Sequence, residues 1–305
     1  MENLKIEATT LKEQYEKMAH IIARYATDSG EDRTVINGLF LSKKETAGNP
    51  RHLAQWPCVA LVVQGSKSVT LGQDVFHYGV GDYLLVSLDL PVISQVTAAT
   101  KERPNLGIGL EIKPERLNQL LSRIPVPAQA LKINEIKSVA VNKAPAEMLD
   151  AILRLLKLLD NPENIEALAP LIEQEILYYV LTGPDGNQLL QFAKENSPAN
   201  RIVKAISWLR EHYHETLKIK ALADFVGMSE SSLHDHFKSV TLLTPMQYQK
   251  QLRLHAARKL MLINELNASE AGFQVGYQSP AQFNREYSRL YGNSPLRDII
   301  ELRKQ

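Results

Sequence analysis

Leu222-Ala-Asp-Phe-Val-Gly-Met-Ser-Glu-Ser-Ser-Leu-His-Asp-His-Phe-Lys238 is answered some fifty residues later by Gln274-Val-Gly-Tyr-Gln-Ser-Pro-Ala-Gln-Phe-Asn-Arg-Glu-Tyr287. Val226-Gly227-Met228 corresponds to Val275-Gly276-Tyr277 at an offset of 49. After one extra turn residue, Gln278, the offset becomes 50 and pairs Ser229 with Ser279, Leu233 with Phe283, Phe237 with Tyr287 and Pro245 with Pro295. A helical unit present twice at this spacing indicates a duplicated module rather than one enzyme core.

Each copy reads as helix–turn–helix, over about 218–239 and 267–290. In the first, residues 219–225 form a short helix that Gly227 stops by taking a left-handed conformation. Ser229 caps the next helix, whose buried face carries Leu233 and Phe237 four residues apart. In the second, Asn267 with Glu270 has the spacing of a capping box, and Gly276 ends the short helix. Ser279 then caps a helix with Pro280 at its first position and Gln282 at its third. Thr244-Pro245-Met246-Gln247 is a further capping box that opens a joining helix to about Ile263. At 1.5 Å per residue that helix spans roughly 30 Å, close to one turn of B-DNA.

These residues, closing with Tyr291-Gly-Asn-Ser-Pro295, closely resemble the AraC/XylS family of bacterial transcription regulators over about 201–299. The resemblance implies DNA binding at promoters through both units. Two departures from the family pattern stand out. Thr241-Leu-Leu-Thr244 replaces a frequent glycine after the first recognition helix, and Ala271-Gly272 replaces bulkier apolar residues, which predicts a weakly held short helix in the second unit.

Upstream, the period changes. Residues 10–27 read as one amphipathic helix, with Leu11, Tyr15, Met18, Ile22 and Tyr25 near helical spacing. From Val35 to Lys113 short β-rich runs alternate with turn residues, at 36–41, 58–64, 68–71, 75–78, 83–87, 92–97 and 106–112, which indicates an antiparallel barrel or sandwich. Beyond Pro114 the helical period returns and is expected to stay, with helices near 114–123, 145–160, 164–181 and 187–195. The apolar face of 146–159 is too broad for a lone surface helix, so it packs on the barrel or on a second subunit. Cys58-Val-Ala-Leu-Val-Val-Gln-Gly-Ser-Lys-Ser-Val-Thr-Leu-Gly72 and Tyr78-Gly-Val-Gly-Asp-Tyr-Leu-Leu-Val-Ser-Leu-Asp-Leu-Pro91 resemble the N-terminal regulatory domain of one branch of the same family. That resemblance implies a cupin-like barrel that senses a small molecule or mediates dimerisation.

The expected fold is therefore α+β: an N-terminal helical segment over 1–29, then an antiparallel cupin-like barrel with flanking helices over 30–195. An all-α domain of two helix-turn-helix units over 196–305 follows. The 305 residues are 44% apolar and 23% charged, which excludes disordered and fibrous classes. No apolar run approaches the ~20 residues of a membrane span, and the start lacks the apolar core of a signal peptide, so a cytoplasmic, nucleoid-associated location is expected. The net charge of +1 hides an asymmetry, because residues 197–305 hold 15 basic against 10 acidic residues and the remainder balances at −4. A basic C-terminal third fits a polyanion.

On the exposed face of the first recognition helix lie Ser231, Ser232, His234 and Asp235, and on the second Ala281, Gln282, Asn284 and Arg285. Arg285 can fork onto guanine, Gln282 or Asn284 onto adenine, and Asp235 can accept from a cytosine amine. Lys238, Arg253 and Arg289 are candidate phosphate partners. Double-stranded DNA is thus the expected partner, with a small-molecule effector, RNA polymerase and a second copy of the chain as further expected partners.

A competing reading makes the barrel a cupin-type enzyme or sugar-binding module whose helical tail mediates protein contacts. Metal-binding cupins carry a His-x-His pair on an early strand, but no histidine lies between His52 and His77, and Leu84 stands where a third would follow Gly81. His234 and His236, like His212 and His214, point apart on a helix. No metal, no cofactor and no catalysis are expected. Cys58, the single cysteine, reads as a buried apolar side chain.

Overall fold

The computed structural model describes residues 2–27, 31–124 and 137–303, with the side chains of the first helix from Leu11 onward. They form two compact units, one built from most of the first 197 residues and one mainly from Pro198 onward, joined by the short segments His52–Ala54 and Leu90–Val92.

The N-terminal unit begins with helix α1, Glu2–Tyr25, longer at its polar start than the apolar spacing predicts. Met18, Ile21 and Ile22 are buried on one side of it, and that side lies on the β-strands. Among the described residues, ten strands follow in two antiparallel sheets. The larger contains β1 Glu31–Arg33, β2 Leu39–Lys44, β4 Cys58–Gln64, β7 Asp82–Val86, β9 Asn105–Glu111 and β10 Val139–Lys143, in the order β1-β2-β9-β4-β7-β10. The smaller contains β3 Arg51–Gln55, β5 Ser66–Leu71, β6 Asp74–Gly79 and β8 Leu90–Ala98, in the order β3-β8-β5-β6.

The two-residue period of β4 and β9 separates two environments. Val59, Leu61 and Val63 on β4 join Leu106, Ile108 and Leu110 on β9 in a core shared with the helices. The intervening Cys58, Ala60, Val62, Gly107 and Gly109 turn to the other face, toward the smaller sheet, and close a cupin-like barrel with it. Three helices complete the layer outside: α2 Pro114–Leu121, α3 Ala146–Lys157 and α4 Ile165–Thr182, followed by α5 Gly186–Ala193.

One expectation changes here, and one open alternative is decided. The helical period does not persist after Pro114, because Val139–Lys143 forms β10 at the edge of β7, with Val139 opposite Val86 and Lys143 opposite Asp82. Five residues of Val-Ala-Val-Asn-Lys carry little period of their own, and the strand exists because β7 offers unpaired backbone groups. The broad apolar face of α3 is covered within the chain: Met148, Leu149, Ile152, Leu155 and Leu156 are buried against α1 and α4. The strands β1 and β3 were not anticipated from the sequence.

From Pro198 on, the described regular elements are all helices: α6 Pro198–Glu211, α7 Ile219–Val226, α8 Glu230–Thr241, α9 Pro245–Ile263, α10 Ala268–Gln274, α11 Pro280–Tyr291 and α12 Pro295–Leu302. Helix α6 packs on α7 and α8, and α12 packs on α9 and α11, so each helix-turn-helix carries one supporting helix beyond the quoted motifs. No helix among the described residues is long and apolar enough to cross a membrane.

Candidate nucleic-acid interface

The two turns are the same structure built twice. In the first, the Gly227 N–H donates to the Asp224 carbonyl and the Met228 N–H to that of Ala223. In the second, the Gly276 N–H donates to Phe273 and the Tyr277 N–H to Gly272, each partner shifted by 49. Gly227 and Gly276 sit at φ +67° and +96°, the left-handed region that costs a side chain ~1–2 kcal/mol. A Cβ on Gly276 would also stand 2.1 Å from the His214 carbonyl oxygen, so glycine is required there twice over.

After each turn a serine starts the recognition helix. The Ser229 hydroxyl accepts from the Ser232 N–H and the Ser279 hydroxyl from that of Gln282, caps that contribute ~1 kcal/mol each. Both capping boxes read from the sequence are formed, at Thr244–Gln247 and Asn267–Glu270. On α8 the buried face is Leu233, Phe237 and Val240; on α11 it is Phe283 and Tyr287. Leu242 ends α8 at φ +57° where Gly292 ends α11 at φ +76°, so the first unit holds a leucine in the same left-handed cap. Ala271-Gly272 has a packing reason: a Cβ on Gly272 would stand 3.0 Å from the Phe283 ring, and the missing side chain lets α10 lie directly on α11.

The polar face of α8 leaves Ser231, His234, Asp235 and Lys238 exposed, with Ser232 half-buried beside its cap. His234 Nδ1 stands 3.9 Å from Asp235 Oδ1. The polar face of α11 leaves Ala281, Gln282, Asn284, Arg285 and Arg289 exposed. Arg285, Arg289 and Asn284 make no side-chain hydrogen bond or ion pair with any described residue, whereas Gln282 donates to Glu286 Oε1 at 3.3 Å and Glu286 Oε2 accepts from the Tyr277 hydroxyl at 2.9 Å.

Arg253 is placed elsewhere than the sequence suggests. Its Nε donates to the Tyr213 carbonyl at 2.6 Å, its Nη2 to Glu215 at 2.7 Å and His214 at 3.3 Å, and its Nη1 to Gly276 at 3.2 Å. The guanidinium is spent on backbone carbonyls, bracing α9 against the turn after α6 and the turn of the second unit. Arg201 does the same in the first unit, donating to the Gly227 carbonyl. A third support is buried under α11: Asp298 accepts two hydrogen bonds from Arg258, at 2.6 and 2.8 Å, and one from Tyr287 at 2.6 Å. None of these supports could be read from spacing, because their partners lie 11 to 40 residues apart.

A family profile described as the AraC-type transcriptional regulator N-terminus matches residues 35–188, and one described as a helix-turn-helix domain matches residues 222–298. The HTH-type transcriptional activator RhaS of Escherichia coli is 30% identical over 152 residues, which cover 50% of this chain and 54% of that protein. RhaS of Shigella boydii matches at the same identity and extent. The match therefore spans about half the length of these curated relatives. Among solved structures, unsaturated fatty acid bound ToxT from Vibrio cholerae has a TM-score of 0.60 at 10% identity, covering 86% of this chain and 94% of that one. A second ToxT crystal form gives 0.59 at 10% identity, over 86% and 97%. At this identity the likeness concerns the fold, and it extends over both units. With the regulator profile covering half of the chain and the duplicated helix-turn-helix following it, the protein belongs to the AraC-type transcriptional regulators.

Proposed function

We propose that this protein is a sequence-specific, double-stranded-DNA-binding activator of transcription, with α8 and α11 as its two reading elements and the barrel as a small-molecule-sensing domain. The observation that carries the reading is the α11 face, where Arg285, Arg289 and Asn284 project from a capped, internally supported helix with no partner among the described residues. Exposed arginines left unpaired beside an amide are suited to bases and phosphates together. Ser231, Ser232, His234, Asp235 and Lys238 on α8, and Ala281 and Gln282 on α11, complete the proposed interface. Activation and small-molecule control are supported by the naming of RhaS as an activator and by the fatty acid bound to ToxT.

In this reading residues 30–195 sense, residues 196–305 bind DNA, and the protein works without catalysis in the cytoplasm, on the nucleoid. Contact with RNA polymerase is part of the proposal. So is a homodimer, supported by the stripe Leu168, Leu171 and Tyr178 that α4 leaves exposed. The test is selection of bound fragments from random DNA, followed by substitution. Arg285→Ala should cost ~1–3 kcal/mol on the selected site and relax base choice at one position. Lys238→Ala should weaken all sequences alike and lower the salt slope by ~1. Absence of affinity for any selected DNA would return the tail to a protein-contact role.

A further inference from the structure

The second helix-turn-helix carries a hydrogen-bonded chain that the first cannot make. It starts at Tyr277 in the turn, 5% exposed, whose ring packs edge-on against Phe283 with centroids 5.3 Å apart and has the Arg253 guanidinium 5.8 Å from its centroid. The Tyr277 hydroxyl donates to Glu286 Oε2 at 2.9 Å, and the other carboxylate oxygen, Oε1, accepts from Gln282 Nε2 at 3.3 Å. Gln282 and Glu286 are four residues apart on α11, so one helical turn brings them to the same face. The positions matched in the first unit, by the offsets of 49 and 50 that relate the two copies, are Met228, Ser232 and His236. A thioether has no proton to donate and a serine has no amide to hold, so the chain belongs to the second unit alone.

Folding requires only the first of these two bonds. A buried tyrosine hydroxyl needs a partner, and Glu286 Oε2 supplies it. The second bond holds a side chain on the exposed face, where water would satisfy the amide nearly as well. Its effect is to fix which way the amide faces. A carboxylate only accepts, so the NH2 end of Gln282 must face Glu286, and a flip would set two oxygens against each other. The carboxylate is held in turn, because Oε2 is tied to a ring packed in the core of this unit. Gln282 then keeps two groups for a partner, the acceptor Oε1 and its second N–H. That pair matches the N6 amine and N7 of adenine in the major groove. A freely turning amide could instead donate to guanine or thymine, or accept from cytosine.

We propose that Glu286 is a specificity-determining positioning residue: anchored by Tyr277, it clamps the Gln282 amide and makes α11 select adenine at one position of the bound site. This rests on the reading of α11 as a DNA-reading helix and names the residues that decide one base. Glu286 acts through Gln282 rather than on the base itself. Its half-buried carboxylate also brings a negative charge to a face meant for phosphates, so it trades affinity for discrimination.

The test uses the full chain and the site it selects from random DNA. Gln282→Ala should flatten the base preference at one position, and the natural chain should favour adenine there by ~10-fold, as a bidentate pair does. Glu286→Gln, which keeps the size and removes the charge, lets the Gln282 amide turn. It should cut that preference several-fold, leave the position read by Arg285 unchanged, and bind random-sequence DNA no more weakly than the natural chain. Tyr277→Phe, which keeps the ring and removes the anchor, should cut the same preference by less. Beside Gln282→Ala, Glu286→Gln should change no base preference. An unchanged preference at that position in Glu286→Gln would overturn the inference. So would a base other than adenine there, or a loss spread evenly over all positions with a lower melting temperature. If the natural chain selects a site that Arg285→Ala relaxes, α11 still reads DNA and only the clamp has failed; a natural chain that selects no site removes both.

Discussion

Removing the Asp298 carboxylate should loosen the second reading helix more than any surface change can. Asp298 is on α12, its side chain 8% exposed, and it binds Arg258 on α9 through both oxygens and Tyr287 on α11 through one. In Asp298→Ala the fully buried Tyr287 hydroxyl loses its acceptor, a penalty of ~1–3 kcal/mol. Arg258 loses its counter-charge, which costs ~3–5 kcal/mol when a buried pair is broken. Its side chain keeps 20% exposure and lies 4.2 Å from the Tyr291 ring centroid, so the lower end applies to it. The total is about 4 kcal/mol. For a helical unit of this size, with ~4–6 °C per kcal/mol, the melting temperature should fall by roughly 15–25 °C. Calorimetry of the full chain reads this directly. A double-mutant cycle isolates the pair: Tyr287→Phe should cost ~1–2 kcal/mol in the natural background and nothing measurable beside Asp298→Ala. A loss below ~1 kcal/mol for Asp298→Ala, or equal costs of Tyr287→Phe in both backgrounds, would refute the assignment of Asp298 as the joint of α9, α11 and α12.

Arg253→Ala should lower stability and leave the salt slope of DNA binding unchanged, whereas Lys238→Ala should lower the slope by ~1, as salt titration of both variants will show. Helix α9, 19 residues from Pro245 to Ile263, spans ~28 Å and should place α8 and α11 on blocks ~10 base pairs apart. Inserting five base pairs between the blocks should then reduce affinity by about 10²-fold, the loss of one good bidentate readout, and a gel shift with no loss would mean a single reading unit. Burial holds the Lys67 ammonium below the usual lysine range, so between its folded and unfolded pKa values the unfolded chain holds more protons than the folded one and the fold gains stability as pH rises through that window. The stability advantage of Lys67→Met over the natural chain should therefore shrink as pH climbs toward ~10.4, measured by urea unfolding across pH. Cys58 is 1% exposed, burial pushes its thiol up, and Gln55 Nε2 donates to its sulfur at 3.2 Å, so iodoacetamide should leave the native protein unalkylated and label it fully in denaturant.

Some of these features were readable one residue at a time and some were not. The glycine turns, the serine caps and both capping boxes were legible because each satisfies backbone groups within three or four residues, so its whole cause lies in a short window. The runs at 58–64 and 106–112 were legible for a related reason: their two-residue period names the strand wherever its partner happens to be. β10 escaped notice because five weakly patterned residues become a strand only when β7 offers an edge. Arg253 looked like any surface arginine on a helix facing a polyanion, since nothing in its neighbours announces the carbonyls of Tyr213 and Gly276 that hold it.

From sequence alone, then, the chain determines its fold class, its duplicated helix-turn-helix and the polar faces of α8 and α11, because local periodicity and capping depend on neighbours that are fixed in the chain. Tertiary structure alone decides which of the polar side chains are spent and which are available. It turns Arg253 and Asp298 inward as supports, leaves Arg285 and Arg289 without a partner among the described residues, and places Lys67 on the wall of the barrel cavity. The physical reason is that a charge in a protein is defined by what surrounds it, and the groups that neutralise or fail to neutralise these side chains come from strands and helices tens of residues away.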